Sequence, residues 1–172
     1  MAKSFETSTE TEKNFSRLIV PVSKFHICKK QPQFVYECME ILGGNGYTED
    51  WPLARMFRAS PLNSIWEGSG NVIALDVLRG LKGEGCLSAL EEELEIGVDS
   101  QLDRAIKNLK KLLKNLKDEQ AQRNARKICN DIAVIIQCQE IVKAVDKGWV
   151  DEKVVIRFME TRLGRGNIYG IL

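Results

Sequence analysis

Three observations predict an all-α helical bundle. Apolar residues recur at three- and four-residue steps through most of the chain, strand-like alternation is nearly absent, and glycine and proline gather in a few short breaks between periodic stretches. With 172 residues, 44% of them hydrophobic and 28% charged, the chain is about one domain long and has the material for a real core.

Phe15, Leu18, Ile19, Val22, Phe25 and His26 form the first apolar face, and Val35, Cys38, Met39 and Leu42 continue the pattern after Gln31-Pro32. The spacing predicts two helices separated by a proline turn. Gly43-Gly44-Asn45-Gly46 ends the second, because such a run implies positive φ angles and close backbone approach. Turn residues lead to Pro52, and Leu53 to Arg58 make a short helix that stops before Ser60-Pro61. An irregular segment from Asn63 to Asn71 carries Trp66-Glu67-Gly68-Ser69-Gly70, after which Val72, Leu75, Leu78 and Leu81 resume the helical period. Six acids and no base lie between Glu84 and Asp99, which reads as a solvated short helix and the best internal boundary. The division is therefore 1–83, an acidic connector 84–100, and a basic helical extension 101–172. In that extension Leu102, Ile106, Leu109 and Leu113 line one helix, Ile128, Ile132, Ile135 and Cys138 line its antiparallel partner, and a last helix runs from Asp151 to Leu163.

The net charge of +1 excludes a simple DNA-coating protein, so charged partners have to be argued locally. Five cysteines without a C-x-x-C pair read as the thiols of a reduced intracellular, cytoplasmic protein, with no structural zinc. No apolar run approaches the ~20 residues of a membrane helix, and the polar, Glu/Thr-rich start is neither a signal peptide nor a mitochondrial presequence.

The single histidine, His26, sits on an apolar face and reads as a packed residue, with no G-x-S-x-G elbow to make a triad. Gly43, Gly44 and Gly46 are no dinucleotide fingerprint, because the run closes a helix instead of linking a strand to one. Glu67 is more informative: a carboxylate between an indole and a glycine-rich loop can lose solvent and gain acid or base duty. It fits equally a carboxylate at a helix N-terminus, favoured by the macrodipole.

The segment Tyr36 to Leu81, YECMEILGGNGYTEDWPLARMFRASPLNSIWEGSGNVIALDVLRGL, resembles the C-terminal helical domain of the acyl-CoA dehydrogenases. The loops G-G-N-G-Y and W-E-G-S-G-N stand in that family's order, with an Arg-bearing helix between them. S-I-W-E-G-S-G-N with L-D-V-L-R, then L-D-R-A-I and E-T-R-L-G, resembles the AidB-like alkylation-response branch.

The resemblance implies an FAD-dependent enzyme, acting on acyl-CoA and assembled as dimers or tetramers, of which this chain matches the last domain; the β domain and N-terminal helical domain lie outside the match. It implies that Glu67 removes the α-proton of an acyl-CoA thioester while its own N–H bonds the thioester oxygen. Trp66, Ser69 and Asn71 stand at FAD-contacting positions, and Gly43, Gly44 and Gly46 in a loop that approaches the FAD of a neighbouring subunit. Glu40 departs from the family's usual Gln, and a carboxylate there repels FAD phosphates unless a cation intervenes. The AidB-like branch adds DNA: residues 101–147 carry eleven bases against six acids, and Arg79, Lys110, Lys114 and Lys117 are the nucleic-acid candidates. The lysines also fit a solvated helix face without aromatic residues for base stacking, and Arg79 a helix C-terminal cation. On this resemblance the isolated chain neither holds FAD tightly nor oxidises acyl-CoA.

Overall fold

The computed structural model describes residues 9–83, 85–114 and 119–164, and among them no strand occurs. The first helix, α1 (Glu10–Leu42), is 33 residues long and is capped by Thr9, whose Oγ1 accepts from the Glu12 N–H at 3.4 Å and donates to the Glu12 carboxylate at 2.5 Å. It ends where Gly43 turns to a φ of 56° and returns its N–H to the Glu40 carbonyl.

Pro32 does not break this helix, and neither does Pro21. The expected proline turn is replaced by one continuous rod. Each proline removes a helical hydrogen bond and costs about 3 kcal/mol in an isolated helix. Tertiary packing offsets that cost, because Leu18, Ile19, Val22, Phe25 and Val35 are all buried along the rod, and a fully buried side chain of this kind contributes about 1.5–3 kcal/mol.

A single turn, α2 (Gly44–Tyr47), folds the chain back before α3 (Pro52–Ala59), which continues into a 3-10 turn (Ser60–Ser64) instead of stopping. Proline at the start of both elements supplies a preset φ where no helical donor is needed. Helix α4 (Gly70–Lys82) lays Ile73, Ala74, Val77, Leu78 and Leu81 against α1. The acidic stretch contains α5 (Cys86–Glu93), whose glutamates are exposed while Cys86, Ala89 and Leu90 are buried.

Helix α6 (Ser100–Leu113), capped by Asp99, buries Leu102, Ile106, Leu109 and Leu113 and packs on α8 (Ala125–Asp146), with the short α7 (Glu119–Arg123) between them. Helix α9 (Glu152–Met159) also packs on α8 and runs into a wide turn (Glu160–Gly164). One apolar cluster joins α1, α4, α6, α8 and α9. Gln139, buried in α8, donates to the Glu93 carbonyl at 3.1 Å and ties the end of α5 to this core. The five cysteines are free thiols, and burial pushes those of Cys129 and Cys138 up to about 12, out of the reactive range. No helix among the described residues is long and apolar enough to cross a membrane, and none of their His, Cys, Asp and Glu side chains form a group of three suited to a metal.

Candidate functional site

The irregular stretch between the 3-10 turn and α4 is held from below by α1. Asn63 donates to the Gln31 side chain at 2.7 Å, and the Trp66 N–H returns to the Leu62 carbonyl at 3.1 Å. At the bend Glu67 has a φ of 51°, the one described non-glycine residue in the left-handed region, where an L-residue is strained by about 1–2 kcal/mol. Gly68 follows at 104°.

The side chain that stabilises this bend is Lys24. Its Nζ donates toward the carbonyls of Trp66, Glu67 and Gly68 at 2.6, 2.9 and 3.4 Å. Hydrogen bonds from a charged donor are worth about 1.5–3 kcal/mol, enough to offset the strained φ. On the far side Arg126 of α8 donates to Asn71 Oδ1 at 2.9 Å while its guanidinium lies 5.6 Å from the centre of the Phe25 ring. Lys24 of the rod thus braces the loop itself, and Arg126 of the extension holds the first turn of α4 that follows it.

The loop presents Trp66, 54% exposed, with the Glu67 carboxylate also at the surface. Ser69 precedes α4 without capping it through its side chain, which leaves its hydroxyl available. Glu67 and Gly68 border an open groove of about 530 Å³ whose walls include Arg17, Val20, Lys24, Val72 and Arg79. Arg79 lies on the wall of the same groove, where it is paired with Asp76 at 3.7 Å. Lys110 on α6 and Lys114 just past its end do not line this groove, and Lys117 lies outside the described residues.

The glycine loop is built differently. Gly43 and Gly44 are exposed, and an added Cβ at either meets nothing within 4 Å, so bare backbone faces outward. Gly46 is buried, and a Cβ there falls 2.3 Å from the Met39 carbonyl oxygen. Glu40 is engaged by the Tyr36 hydroxyl at 2.9 Å, a bond that pushes the phenol pKa up. The next turn is closed by Arg58, whose two nitrogens reach the Glu49 carboxylate at 2.5 and 2.9 Å and hold it below the usual carboxylate range.

His26 is packed as expected, 6% exposed, and burial beside Lys30 and Arg162 pushes its pKa down to about 4. Lys24 and Arg126 are the site residues that sequence reading missed. Their contacts span 42 to 55 positions, and no local pattern announces them.

Residues 2–82 match the model of the acyl-CoA dehydrogenase C-terminal domain. The chain is 47% identical over 108 residues, 61% of its length, to the putative acyl-CoA dehydrogenase AidB of Escherichia coli, and 36% identical over 133 residues, 69% of its length, to acyl-CoA dehydrogenase family member 11 of Caenorhabditis elegans. It spans about a fifth of each, 20% and 22%. The crystal structure of Caenorhabditis elegans ACDH-11 in complex with C11-CoA superposes with a TM-score of 0.74 at 28% identity, over 94% of this chain and 31% of that one. Sequence and fold agree, and residues 2–82 of the chain carry the C-terminal helical domain of the acyl-CoA dehydrogenase family.

Proposed function

We propose that this chain is the C-terminal part of an FAD-dependent acyl-CoA dehydrogenase and that Glu67 is its catalytic base. The observation that carries the reading is the braced left-handed bend at Glu67, which sets an acid on a strained loop with a run of outward-facing backbone donors. Strained backbone held by its surroundings is a common property of reacting sites.

The residues fit a flavin. Gly43 and Gly44 offer backbone without side chains, Trp66 offers an exposed indole for a planar ring, and Ser69 and Asn71 offer polar groups at the start of α4. When bound, FAD supplies the acceptor for the hydride that leaves the substrate β-carbon. Glu67 takes the α-proton, the Glu67 N–H donates to the thioester oxygen as negative charge grows there, and Trp66 shields the site from water. Acyl-CoA as substrate is supported by the family and by the C11-CoA in the ACDH-11 structure. Exposed Ile41, Tyr47, Trp51 and Ile65 supply apolar surface for self-association or for the other domains of the protein.

The test is the full-length gene product loaded with FAD. Anaerobic addition of an acyl-CoA series bleaches the flavin absorbance, and Glu67→Gln abolishes the bleaching. Bound flavin that no acyl-CoA reduces sinks the proposal. A second reading, an AidB-like flavoprotein that contacts DNA, is favoured by Arg17, Lys24 and Arg79 meeting in one groove. It expects duplex binding that weakens steeply with salt and drops on Arg79→Ala.

A further inference from the structure

The Trp66 carbonyl that Lys24 meets at 2.6 Å and the Glu67 N–H belong to the same peptide unit. No described peptide bond is cis, and in a trans unit C=O and N–H point in opposite directions. The ammonium therefore turns the Glu67 N–H away from α1. The same argument applies to the next two units, in which the Glu67 and Gly68 carbonyls face Lys24 and the Gly68 and Ser69 N–H groups face away. Among the described residues, none of these three N–H groups has a hydrogen-bond acceptor, and Glu67 and Ser69 are exposed. One cation on the inner side thus aligns three donors toward the outer side.

Alignment is half of the effect. A charge at the oxygen end of a peptide draws electron density from the nitrogen end and makes its N–H a stronger donor, more so away from bulk water. Lys24 is half-buried, with Val20 and Pro21 beside it in the groove wall, which limits screening of its charge. The contact is also shortest at the peptide that matters most.

We infer that Lys24 is a positioning residue for the dehydrogenation proposed above, orienting and polarising the Trp66–Glu67 peptide so that the Glu67 N–H meets the thioester oxygen. This rests on the dehydrogenase reading. It assigns to a side chain of α1 a part in the reaction that is exerted through the loop peptide. Because the donor is needed most when charge accumulates on oxygen, Lys24 acts on the rate more than on binding.

The experiment uses the full-length FAD-loaded protein, wild type, Lys24→Met and Lys24→Arg, with an acyl-CoA carrying ¹³C at the thioester carbonyl. Infrared difference spectra read the polarisation of the bound carbonyl, stopped-flow bleaching reads the rate of flavin reduction, and a melt reads stability. In wild type the carbonyl stretch falls on binding. Lys24→Met loses most of that fall and reduces flavin about tenfold more slowly, with KM changed less than about threefold, a smaller loss than removing an oxyanion donor outright. Lys24→Arg keeps the charge and restores both signals to at least roughly a third. Wild-type stretch and rate in Lys24→Met overturn the inference. Equal defects in both variants, tracking the loss of melting temperature, also overturn it and leave a loop brace only. A wild-type protein that binds acyl-CoA without reducing flavin removes the dehydrogenase reading itself, a result recognisable because the unmutated protein is silent.

Discussion

The two irregular loops of this domain solve the same problem in opposite ways. The Gly43–Gly46 loop is fixed by close approach: Gly46 is pressed against the backbone of Met39, and the neighbouring Thr48 hydroxyl donates to the Asn45 carbonyl. The Trp66–Ser69 loop is fixed by reach, directly through Lys24 from α1 and, at the helix turn that follows it, through Arg126 from α8 to Asn71. A loop held by contact needs glycine, whereas a loop held by distant cations can keep a glutamate at its bend. The second loop is consequently the one that can carry an acid, and the one whose geometry depends on how α1 and α8 pack.

That dependence gives the largest expected effect. His26, buried where α1 packs on α8, has its pKa lowered from 6.5 to about 4, so the unfolded chain binds the extra proton first. The stability this gives is present above pH 6.5 and is lost as pH falls toward 4, by about 3 kcal/mol at most. Urea melts between pH 7.5 and 4.5 should show the decline, and His26→Gln should flatten it. Hydrogen exchange at pH 5 should loosen residues 66–71, whose last member Asn71 is held by Arg126 from α8, before it loosens Gly46. Equal loosening of both loops removes the distinction drawn here.

Gly46→Ala comes next. A methyl 2.3 Å from backbone that cannot move aside should cost about 2 kcal/mol, read by denaturant unfolding. Gly44→Ala, with open space at its Cβ, should be neutral or slightly stabilising. Arg126→Ala removes the bond to Asn71 and the contact with Phe25, and a loss of about 1 kcal/mol is expected, with exchange at Asn71 and Val72 rising while the first loop is unaffected. The smallest effect belongs to Gly70→Ala. Its Cβ falls 2.3 Å from Lys29 Cε, the far end of a flexible side chain, and the cost should stay below about 1 kcal/mol in the same melts. A cost as large as that of Gly46→Ala contradicts the view that the second loop is not held by contact.

The helical class was readable because the periodicity in Leu102 to Leu113 and Ile128 to Cys138 is local and strong, and these residues are the buried ones. The glycine loop was equally readable, since Gly43 ends α1 with the positive φ that glycine tolerates. Pro32 misled, because local propensity weighs a lost hydrogen bond and cannot see the burial of Phe25 and Val35 on either side of it. Glu67 was singled out by its neighbours, while its left-handed φ and the lysine behind it were not. Both arise from contacts between residues far apart in the chain.

The unbroken α1 also serves as a ruler. Lys24, which touches the Glu67 loop, and Gly43, which begins the glycine loop, are nineteen residues apart on one rod, or about 28 Å along its axis at 1.5 Å per residue. With a hinge at Pro32 that separation would vary; without one it is a fixed length. In the proposed enzyme the two loops therefore cannot close on a single flavin ring from one chain, and each is left to meet a different part of a cofactor or a different subunit's cofactor. On the proposed reading, a rigid span of this size makes one polypeptide half of two sites.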